Sequence, residues 1–115
     1  MGKFVNIIMD ALKNFFAALK EFVQKIIEGI INFVKEIVNY FKTLKLVQGR
    51  DIPFIANTEQ LKDMIKNAPV KNVGIFEATY NEQSDEIENA RYLAADEIDE
   101  DTKNVLGEEN LVVLN

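Results

Sequence analysis

The chain has 115 residues, no cysteine and no histidine, and a formal net charge of −6. This length suffices for one small domain with an additional helix, and the missing residue types exclude disulfides, thiolate metal sites and histidine-dependent catalysis within one chain. Residues 1–47 hold seven lysines against four carboxylates, a net +3, whereas residues 48–115 hold six basic and fifteen acidic side chains, a net −9. The acidic second part argues against nucleic acid as a partner, because nucleic acid needs a basic surface.

Apolar side chains recur every three or four positions through the first 47 residues, the spacing of one face of an α-helix. This face consists of Ile8, Leu12, Phe15, Leu19, Phe22, Ile26, Ile30, Phe33, Ile37, Phe41 and Leu44. No proline interrupts the stretch, and Gly29 is its only weak helix former. The pattern predicts one amphipathic helix over Phe4–Leu46, with a helical hairpin folded back at Gly29 as the alternative.

A helix of that length would extend roughly 60 Å, whereas a compact domain of 100 residues has a radius of gyration of about 13 Å. The remaining residues could not cover such a face, so we expect the face to meet a partner. Self-association into a homo-oligomer, bundle or filament is the favoured interpretation. A peripheral membrane protein, with the basic and Phe-rich helix lying on a lipid surface, is the alternative. A dedicated partner protein is the third interpretation.

The next elements are a short strand and a short helix. Ile52–Ala56 is apolar enough for a strand, and Pro53 predicts that this strand lies at a sheet edge. A helix over 59–67, capped by Asn57 or Thr58, would follow.

A β-hairpin is predicted next, with strands 72–80 and 86–94 on either side of a polar turn. Side chains alternate between the two faces of each strand. In the first strand, one face is predicted to hold Phe76, Ala78 and Tyr80, and the other Val73 and Ile75. In the second strand, one face is predicted to hold Ile87 and Leu93, and the other Ala90 and Tyr92.

A helix capped by Asp96 or Asp99 and ended by Gly107 should then lead to a last strand, Asn110–Leu114. The order β-α-β-β-α-β predicts an α+β domain with a ferredoxin-like or similar small antiparallel sheet. A three-stranded sheet with one or two helices is the open alternative. The chain is thus expected to comprise an assembly helix, 1–47, and a small acidic α+β domain, 48–115.

Two groups of carboxylates were considered as chemical sites. The cluster at 96–101 lacks the spacing of a calcium-binding loop and is interpreted as the charged start of a helix. Glu77 could work with Glu86 or Glu88 as an acid–base pair, but a solvated sheet face or a cross-strand pair with Arg91 is the favoured interpretation. We therefore predict a non-enzymatic cytoplasmic protein, with a membrane surface as the alternative location, and without catalytic residues, cofactor, metal or small-molecule substrate.

Overall fold

The computed structural model describes residues 2–57, 65 and 71–114. In chain order, the elements are α1 (Gly2–Ala17), β1 (Val23–Ile26), β2 (Ile30–Ile31), a π-helical segment (Phe33–Val38) that continues into α2 (Asn39–Thr43), β3 (Asp51–Asn57), β4 (Val73–Asn81), β5 (Glu86–Ala95), β6 (Glu97–Ile98), α3 (Glu100–Leu106) and β7 (Leu111–Val113).

Within the described residues, five strands form one mixed sheet in the order β1-β5-β4-β3-β7. β1 runs parallel to β5, and the other neighbours are antiparallel. The short strands β2 and β6 form a separate parallel pair. The α+β class is confirmed. The ferredoxin-like topology is not confirmed, because the sequential strands β3, β4 and β5 are direct neighbours in the sheet.

Helices cover both faces of the five-stranded sheet. On one face, α1 buries Ile8, Leu12 and Phe15 against Phe54 and Phe76 in a cluster that we call the α1 cluster. The opposite face carries the α2 cluster, in which buried side chains of the π-helical segment, α2 and α3 pack against those of the strands. Its members are Ile31, Ile37, Phe41, Ile55, Ile75, Leu93, Ala95 and Leu106.

The prediction of one helix over Phe4–Leu46 is wrong. The helix ends at Ala17, and Leu19 takes a left-handed backbone conformation with φ of 55°. The chain then becomes extended, and the Ile27 N–H donates to the Ala94 carbonyl at 2.8 Å. β-Branched residues are dense in this segment and favour a strand, while β5 offers an edge for it to join. The helical hairpin is wrong for the same reason, although Gly29, with φ of 90°, does lie between the two short strands.

The prediction that the rest of the chain cannot cover this apolar face is wrong for most of its residues. The strand β1 carries the chain from one face of the sheet to the other, so that both faces are covered by residues 1–47. Both clusters therefore combine side chains from before and after residue 47. The division of the chain into two domains, 1–47 and 48–115, stays a prediction.

The strand predicted at Ile52–Ala56 is present as β3, but it lies inside the sheet and not at an edge. Proline is tolerated there because β7 pairs only with Phe54, Ile55 and Ala56. The Pro53 carbonyl accepts a hydrogen bond from the Leu114 N–H at 2.8 Å. Proline has no backbone N–H to donate to β7, so the hydrogen-bond ladder between the two strands ends at this residue. The helix predicted over 59–67 lies outside the described residues, apart from Ile65, which is buried in the α1 cluster.

The predicted hairpin is confirmed as β4 and β5, but one of its face assignments is wrong. Glu77 pairs with Arg91 and Thr79 with Glu88, so two residues of β5 lie opposite one residue of β4. This bulge, with Asn89 at a φ of 55°, reverses the alternation along β5. Consequently Ile87 joins Ala90 and Tyr92 in the α1 cluster, while Leu93 belongs to the α2 cluster. The assignments within β4 are confirmed. Phe76, Ala78 and Tyr80 belong to the α1 cluster on one face of the sheet, and on the other face Ile75 belongs to the α2 cluster, against which Val73 packs.

The predicted C-terminal helix and strand are also present. The Asp99 side chain caps α3 by accepting from the Thr102 N–H at 2.9 Å, and Gly107 follows its last turn. β7 then lies within the predicted strand Asn110–Leu114.

Candidate self-association surface

The edge strand β1 is the part of the sheet most open to another chain. In the part of the chain that the structure describes, β1 pairs only with β5, and all four of its residues are exposed. Because the Ile27 N–H points toward β5, strand alternation directs the backbone N–H and C=O groups of Gln24 and Ile26 away from it. A row of such groups is a template for pairing with a further strand.

Large apolar side chains accompany this edge. Five of them leave at least 50% of their surface in solvent: Leu19, Val23, Ile26, Ile30 and Val34. Val23 and Ile26 lie on β1, Leu19 precedes it, Ile30 lies on β2, and Val34 lies in the π-helical segment. We call these five side chains, together with the outer edge of β1, the β1 surface.

The eleven residues predicted to face a partner are divided among three environments. Five are buried within the chain: Ile8, Leu12, Phe15, Ile37 and Phe41. Three are partly buried against the clusters: Phe22, Phe33 and Leu44. Three are exposed: Leu19, Ile26 and Ile30. The structure thus does not bring the predicted face together, and its exposed members are the ones most open to a partner.

Val23 and Val34 lie on the flank of the predicted helical face and are therefore not among its eleven residues. The signal that could have found them is the density of β-branched residues between positions 23 and 34, which include Ile27 and Ile31. Such a composition is more typical of a strand than of a long surface helix.

Charged side chains alternate with the apolar ones at this edge. Lys20 lies 3.8 Å from Glu86, and Lys25 lies 3.5 Å from Glu36 of the π-helical segment. Glu21 and Glu28 are exposed on either side of β1. Pairs as exposed as Lys20–Glu86 contribute little to stability and can exchange partners at an interface.

A buried ion pair lies one strand away from this edge. Glu77 on β4 is fully buried and accepts two hydrogen bonds from Arg91 on β5, at 3.0 and 2.6 Å. Arg91 also donates to the Glu36 carbonyl at 2.6 Å, and its guanidinium lies 4.0 Å from the centre of the Tyr40 ring. Through Glu36 the pair is connected to Lys25 on β1.

Burial raises the pKa of Glu77 to about 7, although the hydrogen bonds and charge of Arg91 act in the opposite direction. Of the two alternatives for Glu77, the cross-strand pair with Arg91 is confirmed and the solvated sheet face is wrong. Glu77 is not brought together with the other two carboxylates, because Glu88 lies opposite Thr79 and Glu86 opposite Asn81. The geometry of the pair indicates a structural role, in which it connects β4 and β5 to the π-helical segment.

The acidic cluster at 96–101 caps a helix. Asp99 accepts from the N–H groups of Thr102 and Phe33, at 2.9 and 3.0 Å. Burial by itself would raise the pKa of Asp99, but a hydrogen bond from the Thr102 hydroxyl, together with these two, holds it below its ordinary value. Among the described residues, no group of three or more acidic side chains has an arrangement that could hold a metal ion.

A cavity of about 520 Å³ lies at the opposite edge of the sheet, between the start of α1 and β7. Phe4, Val5, Ile52 and Leu111 supply apolar lining, and Glu82 and Glu109 supply carboxylates. This lining does not indicate a particular ligand.

In the described part of the chain, no helix combines the length and hydropathy needed to cross a membrane. Comparisons with known proteins find no matching family model, no matching curated protein and no matching solved structure. Function is therefore inferred from the geometry of the chain itself.

Proposed function

We propose that this protein is a non-enzymatic structural protein of the cytoplasm that forms a homo-oligomer through the β1 surface. The observation that carries the proposal is an edge strand with outward-facing backbone groups, flanked by five exposed apolar side chains. Self-association would bury both features at once.

The energetic argument is that each large apolar side chain removed from water contributes about 1.5–3 kcal/mol. Sheet edges are usually shielded by charges, by proline or by a covering element. β1 carries one charge, Lys25, between Val23 and Ile26, and all three are exposed. This weak protection favours a strand that another chain covers.

The other edge strand, β7, is better protected. Leu111 is buried, Val112 and Val113 are partly buried, and the carboxylates of Glu108 and Glu109 precede the strand. This contrast supports the β1 side as the interface. The acidic second part of the chain, with a net charge of −9 over residues 48–115, would remain outside it and limit further association.

A lipid surface is the second candidate partner, because Lys20, Lys25 and Lys35 lie among the exposed apolar residues of the β1 surface. Lysines in this arrangement can approach anionic headgroups while the apolar side chains enter the interface. In that case β1 would contact lipid and the protein would act as a monomer at a membrane.

Multi-angle light scattering, with and without anionic liposomes, separates the two candidates. Self-association predicts a defined multimer in plain buffer and a shift toward monomer for Ile26→Asp. The matched control is Val47→Asp, because Val47 is an equally exposed apolar residue before β3. A monomer in buffer that sediments with the liposomes would favour the lipid surface, and a monomer that ignores liposomes would contradict both candidates.

A further inference from the structure

Building on the proposed self-association, we propose that two copies of the chain pair β1 against β1, antiparallel and centred on Gln24. The occupant of the open edge is thus a second copy, and the two five-stranded sheets become one continuous sheet of ten strands. Identical edges related by a two-fold axis pair antiparallel and form a closed dimer.

The backbone limits the registers that are available. Gln24 and Ile26 direct their N–H and C=O groups outward, whereas Val23, Lys25 and Ile27 direct theirs toward β5. Hydrogen-bonded pairs across the new interface must therefore join outward-facing residues. Three symmetric registers satisfy this condition within β1: Gln24 opposite Gln24, Gln24 opposite Ile26, and Ile26 opposite Ile26.

Charge distinguishes these registers. Continued beyond the ends of β1, the register centred on Gln24 would place Lys20 of each copy opposite Glu28 of the other, so that two ion pairs would form across the two-fold axis. It also places Ile26 opposite Phe22, which extends the apolar contact. Opposite charges that face each other across strands contribute roughly 0.2–1 kcal/mol per pair.

The other two registers lack this complementarity. Pairing Gln24 with Ile26 places Lys25 opposite Lys25, and like charges directly opposite one another are destabilising. Centring on Ile26 pairs the two Ile26 side chains with each other, but it places Gln24 opposite Glu28 and Val23 opposite Gly29, so no ion pair is gained.

Single-cysteine variants test the register directly, because the chain contains no cysteine of its own. The variants are Gln24→Cys, Lys25→Cys and Ile26→Cys, all at exposed positions. Residues directly opposite one another in antiparallel strands have Cα atoms about 4.5–5.5 Å apart, within the range that a disulfide spans. Each variant is self-opposed in only one of the three registers.

We expect Gln24→Cys to form a covalent dimer under mild oxidation at least about ten times faster than the other two variants. Faster cross-linking of Lys25→Cys or Ile26→Cys would overturn the register. A non-covalent dimer by light scattering with no fast cross-linking in any variant would overturn edge pairing while leaving self-association intact. A monomer throughout would overturn the proposed function as well, and a species that grows without limit would indicate β1 pairing with β7.

Charge reversal provides a second test. We expect Lys20→Glu and Glu28→Lys each to weaken the dimer about five-fold or more, and the double variant to return within about two-fold of the original dissociation constant. Glu86 also contacts Lys20, but losing that contact would not be rescued by a change at position 28. Failure of the double variant to restore dimerisation would overturn the Lys20–Glu28 pairing.

Discussion

Arg91 donates two hydrogen bonds to the same oxygen of the buried Glu77 carboxylate, from Nε at 3.0 Å and from Nη2 at 2.6 Å. The second carboxylate oxygen is buried and has no hydrogen-bond partner among the described residues. The same guanidinium donates to the Glu36 carbonyl and lies against the Tyr40 ring. One side chain therefore joins β4 and β5 to the π-helical segment and to α2.

Replacing Glu77 with glutamine should remove a pH dependence of stability. Folding raises the pKa of Glu77 from 4.5 to about 7, so the folded chain favours the protonated carboxyl. The protonated carboxyl contributes to the free energy of unfolding, and this contribution is fully present below about pH 4.5. It is lost as the pH rises through 7, a change of about 3 kcal/mol in the free energy of unfolding. Relative to Glu77→Gln, the original chain should thus lose stability across this window, as measured by urea unfolding at successive pH values.

Exposed carboxylates provide the control for this experiment. Glu108→Gln should follow the pH profile of the original chain, because Glu108 is exposed. If the profiles of Glu77→Gln and the original chain ran parallel between pH 4.5 and 7, Glu77 would be ionised in the fold throughout.

Replacing Arg91 with methionine should destabilise the fold most where Glu77 is ionised. Removal of one partner from a buried ion pair costs about 3–5 kcal/mol when the other charge remains. We expect a loss of this size at pH 8 and a smaller loss at pH 5, where Glu77 is protonated. The comparison is Lys103→Met, which removes an exposed contact with Glu100 and should change the free energy of unfolding by less than about 0.5 kcal/mol. Equal losses at both pH values would contradict this account.

Replacing Asp99 with alanine should cost about 1–2 kcal/mol, because an N-cap is lost. The substitution also leaves the Phe33 N–H without its acceptor, so the start of the π-helical segment should loosen together with α3. Since the pKa of Asp99 is lowered by folding, its contribution is present above its ordinary value of 3.8 and declines in stronger acid. Thermal unfolding at pH 7 measures the loss.

Asp101→Ala is the matched control for the capping residue. Asp101 lies in the first turn of α3 and is exposed, so it contributes only its charge near the helix N-terminus. An equal loss for both variants would mean that Asp99 acts through charge alone and not through its hydrogen bonds.

Replacing Leu12 with alanine should lower the free energy of unfolding by about 2–5 kcal/mol, because a fully buried side chain leaves a cavity under α1. Val47→Ala, at an exposed position outside the β1 surface, should change it by less than about 0.5 kcal/mol. Of the three tyrosines, Tyr80 and Tyr92 lie after residue 47, so tyrosine fluorescence in a Tyr40→Phe background reports on the later part of the chain. We expect fluorescence and circular dichroism to show the same loss for Leu12→Ala.

This experiment also tests the division at residue 47. Shared clusters predict that α1 and the sheet unfold together, in one transition seen by both probes. A fluorescence transition that Leu12→Ala leaves unmoved would show that residues 48–115 fold independently.

Most of the second half could be predicted from local sequence. The hairpin of β4 and β5 follows from alternating β-branched and aromatic residues, and α3 follows from Asp99 and Gly107 at its two ends. The bulge at Asn89 could not be predicted, because the alternation continues through it without a break in the sequence. It is decided by pairing with β4 across the sheet.

The first half shows why an apolar period is insufficient. An apolar spacing of three and four residues is compatible with one long helix. It is equally compatible with a helix, an edge strand and a second helix, in which the two helices cover opposite faces of one sheet. Local propensity differs between these states by only tenths of a kilocalorie per residue, so the sheet decides between them by offering an edge to residues 23–26. The same decision buried most of the predicted contact face and left the β1 surface exposed.

The sequence by itself determined the α+β class and most of the second-half elements, and it offered the cross-strand pair of Glu77 with Arg91 as one of two interpretations. These features depend on neighbours in the chain or directly across a hairpin, where few alternatives compete. Only the tertiary structure decided where residues 1–47 lie and which of their apolar side chains remain in solvent. The reason is that burial depends on contacts between distant segments, and the hydrophobic effect has no directional preference that the local sequence could specify.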